Sequence, residues 1–202
     1  IDKCLNTAVV NNTLITGSDG IDIKYSISTT VSNNTVNAKG AFKCIWLYKL
    51  SNVSATANTL YGASHGFEIE RCNLTYIANN TVYQTLTGIY LWYSWDSNIK
   101  NNNLESSSNG LITIAINTCN ITDNIIMNPA IGVNLVNYSN YQSSMIHITG
   151  NYFWNVTKVT RTEGFDDFTE KGLFIHDNYC NGVLFNGTVA YCVSTTAISN
   201  SR

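Results

Sequence analysis

Charge is what this 202-residue chain has least of. Lys, Arg, Asp and Glu make up 12% of it, where an average soluble domain carries about 25%. Eleven basic residues face thirteen acidic ones, for a net charge of -2. That balance excludes the clustered Lys and Arg of a nucleic-acid-binding surface and an acidic solvating tail. Proline is nearly missing, with one residue, so almost nothing removes a donor from a backbone ladder. No run approaches the ~20 apolar residues of a membrane span. Disorder is excluded too, because 44% of the residues are hydrophobic and the net charge is small. No CxxC pair is present, which argues against zinc, and neither a phosphate-binding loop nor a dinucleotide fingerprint occurs. The expectation is therefore no metal and no cofactor. The chain starts at Ile1 without Met or a signal peptide and reads as a mature product, a fragment or an excised domain. Its length suits one domain.

Asn, Ser, Thr and Tyr replace the missing charge. Sequons of the form Asn-x-Ser/Thr begin at Asn11, Asn33, Asn52, Asn73, Asn79, Asn120, Asn137, Asn155 and Asn186. With 29 Asn and 41 Ser plus Thr, chance gives about six, so nine is a mild excess that suits N-glycosylation. Low charge, many hydroxyls and many sequons together point to an extracellular, cell-surface or virion-surface setting. Six Cys permit fifteen disulfide pairings. Only Cys180 and Cys192 are close enough in sequence to suggest a local bridge, and the other four also fit buried free thiols.

A repeat runs through the chain. The pattern apolar-x-x-Asn-x-apolar recurs at Asn12, Asn34, Asn58, Asn80, Asn102, Asn124, Asn151 and Asn178, with spacings of 22, 24, 22, 22, 22, 27 and 27. A second mark rides in phase, eight residues after the Asn. It reads Gly20-Ile21, Gly66-Phe67, Gly88-Ile89, Gly110-Leu111 and Gly132-Val133. The coil spaced by 24 carries two extra residues and puts Cys44-Ile45 in that place. Short runs such as Ile21-x-Ile23 and Ile89-x-Leu91 alternate with period two, which reads as strand. A unit of about 22 residues cannot close its own core, but it can form one turn of a coil whose strands pair with the coils above and below. The expected architecture is all-β: a parallel β-helix of about eight coils. Asn at the corners tolerates a left-handed backbone, and its amides can stack from coil to coil. The recurring Gly serves a turn that needs positive φ or close approach. Residues 1–154 form the regular coils, and 155–202, with Glu163, Asp166, Asp167, Glu170 and Lys171, form an elaborated last coil and a C-terminal cap that protects the open edge.

On these Asn-x-apolar and Gly-apolar-x-apolar marks, the chain resembles the right-handed parallel β-helix proteins of the pectin-lyase-like superfamily over roughly residues 4–185. The resemblance implies a fold more than an activity, since that superfamily spans polysaccharide lyases, glycoside hydrolases, phage tailspikes, adhesins and surface-layer components. It also implies an oligomer, because rod-like tailspikes are commonly trimers. No family-specific catalytic motif carries over.

Placed in register, the outward positions gather aromatics and charges. Two residues after the Gly mark the column reads Asp22, Trp46, Glu68, Tyr90, Ile112, Asn134. Two further on it reads Lys24, Tyr48, Glu70, Trp92, Ile114, Val136, flanked by Tyr25, Lys49, Arg71 and Tyr93, with Trp95 close behind. Alternation places the first two columns on the outside of one sheet. Trp46, Tyr48, Tyr90, Trp92, Tyr93, Trp95 and Arg71 then form a ligand-binding surface for a cell-surface glycan or receptor, because flat rings stack on sugars while charged groups hold hydroxyls. The same composition fits a subunit interface of a homo-oligomer or a surface covered by a loop or the C-terminal cap. The leading reading is a surface spike or adhesin. The alternatives are a polysaccharide-degrading enzyme and a purely structural module. Asp22, Glu68 and Glu70 are the weak catalytic candidates. Asp22 and Glu68, two coils apart, would lie about 9–10 Å from each other, against the roughly 6.5–9.5 Å of inverting glycosidases. His65, His147 and His176 read as polar turn or surface histidines.

Overall fold

The computed structural model describes residues 1–137, 144–163 and 172–185. Every element among them is a strand, so no helix is long and apolar enough to cross a membrane. One sheet stacks eight strands: Ala8–Val10, Ile27–Ser32, Ser51–Thr56, Asn73–Ala78, Trp95–Lys100, Asn117–Thr122, Ser144–Thr149 and Leu173–His176. All neighbours are parallel, and each strand precedes one Asn of the repeat. Six rungs follow the spacing of about 22 residues, and the rungs ending at Asn151 and Asn178 are longer. The apolar mark before each Asn becomes one inward column: Val9, Val31, Ala55, Ile77, Ile99, Ile121, Ile148 and Ile175. Like side chains thus pack on like along the rod axis, which keeps the core apolar without any helix.

The second sheet has fourteen strands and covers the other two faces. Short strands such as Thr13–Ile15, Thr35–Asn37 and Thr59–Tyr61 follow the Asn corner and bury Val36, Leu60, Val82, Leu104, Ile126 and Phe153. The third face holds Ile21–Lys24, Lys43–Tyr48, His65–Glu70, Ile131–Val136 and Lys158–Glu163. Between them, Thr81–Trp92 and Asn103–Ile114 run unbroken round the corner, with register shifts at Val82/Thr85 and Thr85/Thr87, and so join the two faces. Cys44-Ile45 does take the place of Gly-Ile, since Ile45 pairs with Ile21 and Phe67.

The Asn ladder holds the corner together, though by a different division of labour than expected. The residue with the left-handed backbone is the one before each ladder Asn: Asn11, Asn33, Ala57, Asn79, Asn101, Asp123, Gly150 and Asp177 all have φ between 53° and 68°. The ladder Asn itself is freed to bond. Asn80 Nδ2 donates to Asn102 Oδ1 (2.9 Å) and to Ala55 O (2.9 Å), and its backbone N–H donates to the same Oδ1 (3.0 Å). This arrangement repeats from Asn12 to Asn178, and from Asn34 onward each ladder Asn is buried. The recurring Gly answers to close approach rather than to positive φ. A Cβ on Gly88 would lie 2.6 Å from the Gly110 carbonyl oxygen.

Pairing does not stop at residue 154. Lys158–Glu163, Leu173–His176 and Asn178–Cys180 extend the same sheets, after which Val183–Phe185 turns back antiparallel onto Asn178–Cys180. The acidic positions Asp166, Asp167 and Glu170, with Lys171, lie outside the described residues, as do Asn186 and Cys192. Cys180 is disulfide-bonded. Cys4, Cys44, Cys72 and Cys119 are free thiols, and only Cys4 is exposed. Of the sequon asparagines, Asn11, Asn33, Asn52, Asn73, Asn79 and Asn155 are exposed, and Asn120 and Asn137 are half-buried.

Candidate functional site

The third face is where the outward columns meet. Register places Asp22, Trp46, Glu68 and Tyr90 in one column, and Lys24, Tyr48, Glu70 and Trp92 in the next. The inward partners Ile45, Leu47, Phe67, Ile69, Ile89 and Leu91 are fully buried and fix the backbone beneath them. Trp46 therefore stands between the two expected catalytic carboxylates, Asp22 and Glu68, rather than leaving open space there.

A third outward column escaped the alternation rule. Gly66 and Phe67 are both buried, so two consecutive residues point inward and the phase slips by one before them. His65 is thereby brought onto the outer face, and Lys43 pairs with it one rung earlier. Together with Glu68 they form a compact charged group. Glu68 Oε1 accepts from Lys43 Nζ at 3.3 Å, and Oε2 lies 3.0 Å from His65 Nδ1. Glu68 is only 8% exposed. Lys43 Nζ also sits 3.4 Å from the centroid of the Trp46 ring, with Lys24 Nζ at 4.1 Å. His65 stacks on Tyr90 with centroids 5.0 Å apart and planes 6° from parallel, and Phe42 packs against it at 4.6 Å. The loop before Lys43 is pinned by Asp19 Oδ1, which accepts from the backbone N–H of Phe42 and of Lys43. Sequence alone reads His65 as a polar turn or surface histidine; it is a strand residue on the outer face, beside Glu68. The signal that could have found it was the Gly-apolar pair, which marks a break in alternation.

Around this group the face is partly dried out. Burial raises the carboxyl of Asp22 above its ordinary range, with Lys24 opposing. Burial raises Glu70 likewise, with Arg71 opposing and Glu68 adding to the rise. Tyr90 is pushed up by burial and by the two glutamates, so its hydroxyl stays protonated at neutral pH. Asp22 Oδ1, Trp46 Nε1 and Trp92 Nε1 are buried without a hydrogen-bond partner, a state that costs energy unless another group satisfies it. Chemically the face offers rings for stacking, unfilled polar groups, and a carboxylate that holds an imidazole by one nitrogen.

Trp95 does not join this face. It starts the Trp95–Lys100 strand of the eight-stranded sheet, paired with Asn73 and Asn117, and is 45% exposed round the corner. Tyr93 and Arg71 lie at the corner itself. His147 stacks on Phe174, and His176 Nδ1 contacts Asp177 Oδ2 at 2.8 Å, both away from the site. Among the described residues no three His, Cys, Asp or Glu side chains come together as a metal-ligand group. Burial pushes the thiols of Cys44 up to about 11 and of Cys72 and Cys119 up to about 12, so they are protonated.

Comparison with solved structures shows what this chain is similar to. The periplasmic alginate epimerase AlgG superposes with a TM-score of 0.74 at 18% identity, over 88% of this chain and 45% of the epimerase. A hyperthermoactive exopolygalacturonase from Thermotoga maritima gives 0.56 at 14% identity, over 79% and 42%. The A-module of the Azotobacter vinelandii mannuronan C-5 epimerase AlgE4 gives 0.53 at 16% identity, over 87% and 57%. At such identities the likeness shows the right-handed parallel β-helix fold, and the chain spans less than half the length of the first of these proteins. No curated protein matches. A family model described as NosD, periplasmic copper-binding protein, matches residues 1–187. With nearly the whole chain matched, from the first rung to the last, this protein belongs to the NosD family.

Proposed function

We propose that the protein is a β-helical module working outside the cytoplasm that binds carbohydrate on the face built by Trp46, Tyr48, Tyr90 and Trp92. The observation that carries this reading is the combination on one rigid surface of flat rings, partly dried charges and buried indole N–H groups with no partner. A pyranose presents an apolar C–H face to a ring and hydroxyls to the polar groups beside it, which is what such a mixed site accepts. The periplasmic setting in the family's description supports a location in the cell envelope or beyond. The finer reading is a spike or adhesin, assembled as a homo-oligomer, that shows this face to a host-surface glycan or receptor.

Copper, which the family description names, does not fit the described donors. The three buried thiols would have to lose protons that burial holds on, and they sit on separate rungs. Among the described residues no three His, Cys, Asp or Glu side chains, those around His65 included, come together as a ligand set. No step of the present reading runs through a metal.

Tryptophan fluorescence against a polysaccharide panel tests the binding, with light scattering run in parallel. Quenching or a shift on adding a glycan, lost in Trp46→Ala with Trp92→Ala, is the expected result. If the double variant instead dissociates an oligomer and the wild type binds no glycan, the face is a subunit interface and the reading fails.

A second reading, polysaccharide processing, is favoured by the Lys43–Glu68–His65 group. A carboxylate on Nδ1 fixes the imidazole tautomer and leaves Nε2 to take a proton. Release of oligosaccharides from the same panel, abolished by Glu68→Gln, would establish it.

A further inference from the structure

Beside the aromatic face, at its corner with the eight-stranded sheet, one column combines bulky side chains in the left-handed region, as also occur at Leu74, Thr118 and Met145, with stacked like charges. Lys3, Tyr25, Lys49, Arg71 and Tyr93 stack there, one per rung. Lys3 N–H donates to Lys24 O, Tyr25 N–H to Tyr48 O, Lys49 N–H to Glu70 O and Arg71 N–H to Trp92 O. All five have φ between 48° and 55°. Bulky side chains seldom occupy this left-handed region, which Gly, Asn and Asp enter most cheaply. Lys49 and Arg71 are also like charges on neighbouring rungs, about 4.8 Å apart along the sheet, and stacked like charges repel.

The cations are only partly balanced by the protein. No carboxylate comes within ion-pair distance of Lys49 among the described residues. Its Nζ lies 5.3 Å from the Tyr25 ring and 5.2 Å from the Tyr48 ring. Arg71 Nε reaches Glu70 Oε1 at 3.6 Å with its side chain 46% exposed, which leaves the outer guanidinium nitrogens available. Below them opens a groove of about 380 Å³ lined by Tyr25, Ile27, Lys49, Arg71, Asn73 and Trp95. It presents two cations, an exposed indole and an exposed amide, with Ser26, Leu50 and Ser51 among its lining.

We propose that this groove binds an anionic sugar residue. A carboxylate or sulfate ester lies between Lys49 and Arg71, the ring's C–H face lies on Trp95, and a hydroxyl meets Asn73. The anion removes the repulsion between the stacked cations. Because the basic and aromatic column runs along the rod, an extended anionic polysaccharide can follow it from rung to rung. The inference rests on the carbohydrate reading of the adjacent face and names the class of sugar that reaches it.

The test uses three polymers with one backbone: neutral dextran, carboxymethyl dextran and dextran sulfate, titrated calorimetrically into the whole chain. The expected result is at least tenfold tighter binding of a charged polymer than of the neutral one, weakening as salt screens it. Which of the two charged polymers binds better identifies the anion. Lys49→Gln with Arg71→Gln is expected to abolish that preference at an unchanged thermal midpoint. Lys39→Gln with Lys158→Gln, at exposed lysines elsewhere on the rod, leaves the preference intact. Equal affinity for neutral and charged polymers, or an undiminished preference in the Lys49/Arg71 variant, overturns the inference while the carbohydrate reading stands. So does an equal loss in the Lys39/Lys158 variant, which would make the attraction a property of net charge. A wild type that binds none of these polymers, nor any glycan on the panel, overturns both.

Discussion

Two corners of this coil share a backbone conformation and almost nothing else. At the corner before the Asn ladder, the left-handed position is filled by Asn11, Asn33, Ala57, Asn79, Asn101, Asp123, Gly150 and Asp177. All but Ala57 are residues that enter that region cheaply. At the corner beside the aromatic face the same conformation is imposed on Lys3, Tyr25, Lys49, Arg71, Tyr93 and Ala115, none of which does. In the first corner the backbone demand chooses the residue. In the second something else does, and the strain of roughly 1–2 kcal/mol per residue is carried by the packing beneath. Strain alone does not mark function, since Leu74, Thr118 and Met145 share it on another column; at the second corner it coincides with stacked cations and a groove. Strain kept in place by a rigid surround is a reason to look for a role at the strained site.

The contrast breaks most visibly if the Asn ladder is cut. Asn102 Oδ1 accepts from the backbone N–H and side chain of Asn80, while its own Nδ2 donates to Ile77 O and Asn124 Oδ1. Asn102→Ala leaves these buried partners unmet, so a loss of about 4 kcal/mol is expected, read as a lower urea midpoint. A loss below about 1 kcal/mol would mean that water replaces the amide and that the ladder is not what closes the corner. The second corner should respond the other way. Lys49→Asn with Arg71→Asn exchanges strained residues for tolerant ones, at the loss of cation–π contacts worth about 0.5–1 kcal/mol each. Stability should rise by about 1 kcal/mol in total, while charged polysaccharide is no longer preferred. A fall in stability would show that these side chains are structural. Within the first corner, Ala57 is the internal control. Ala57→Asn should raise stability by about 0.5 kcal/mol and leave binding untouched.

Much of this was legible beforehand. The Asn spacing and the phase of the Gly mark placed every rung from Asn12 to Asn178, because a solenoid writes its period directly into the sequence. The Trp46/Glu68/Tyr90 column followed from the register of the repeat, and its outward direction from alternation. What alternation could not show was the corner before Phe67, where two inward residues in succession moved His65 and Lys43 onto the face. Nor could it show Trp95 round the corner. The left-handed residue was misplaced by one, from the ladder Asn to its predecessor, because both are often Asn and sequence cannot tell a backbone role from an amide role. The strain at Lys49 and Arg71 was invisible for the same reason, as φ is not written in a residue's name.

The smallest effect separates the charges on the two sides of the second corner. Glu70 faces the aromatic surface and Arg71 the groove, yet burial outweighs Arg71 and raises the Glu70 carboxyl above its ordinary value of 4.5. Asp22, two rungs away, is raised from 3.8 by the same cause. A raised carboxyl binds its proton more tightly in the folded state than in the unfolded one. Its contribution is therefore fully present below the unfolded value and is lost as pH rises through the folded value. Stability should fall modestly as pH climbs from about 4 toward neutrality, opposite to the usual acid denaturation of paired carboxylates. Glu70→Gln should flatten part of that slope and add slightly to stability at neutral pH, read as the change in urea midpoint with pH. If the variant instead loses stability at neutral pH, the Glu70–Arg71 pair outweighs desolvation. The cation at the groove would then be held by its own neighbour rather than kept for an anion from outside.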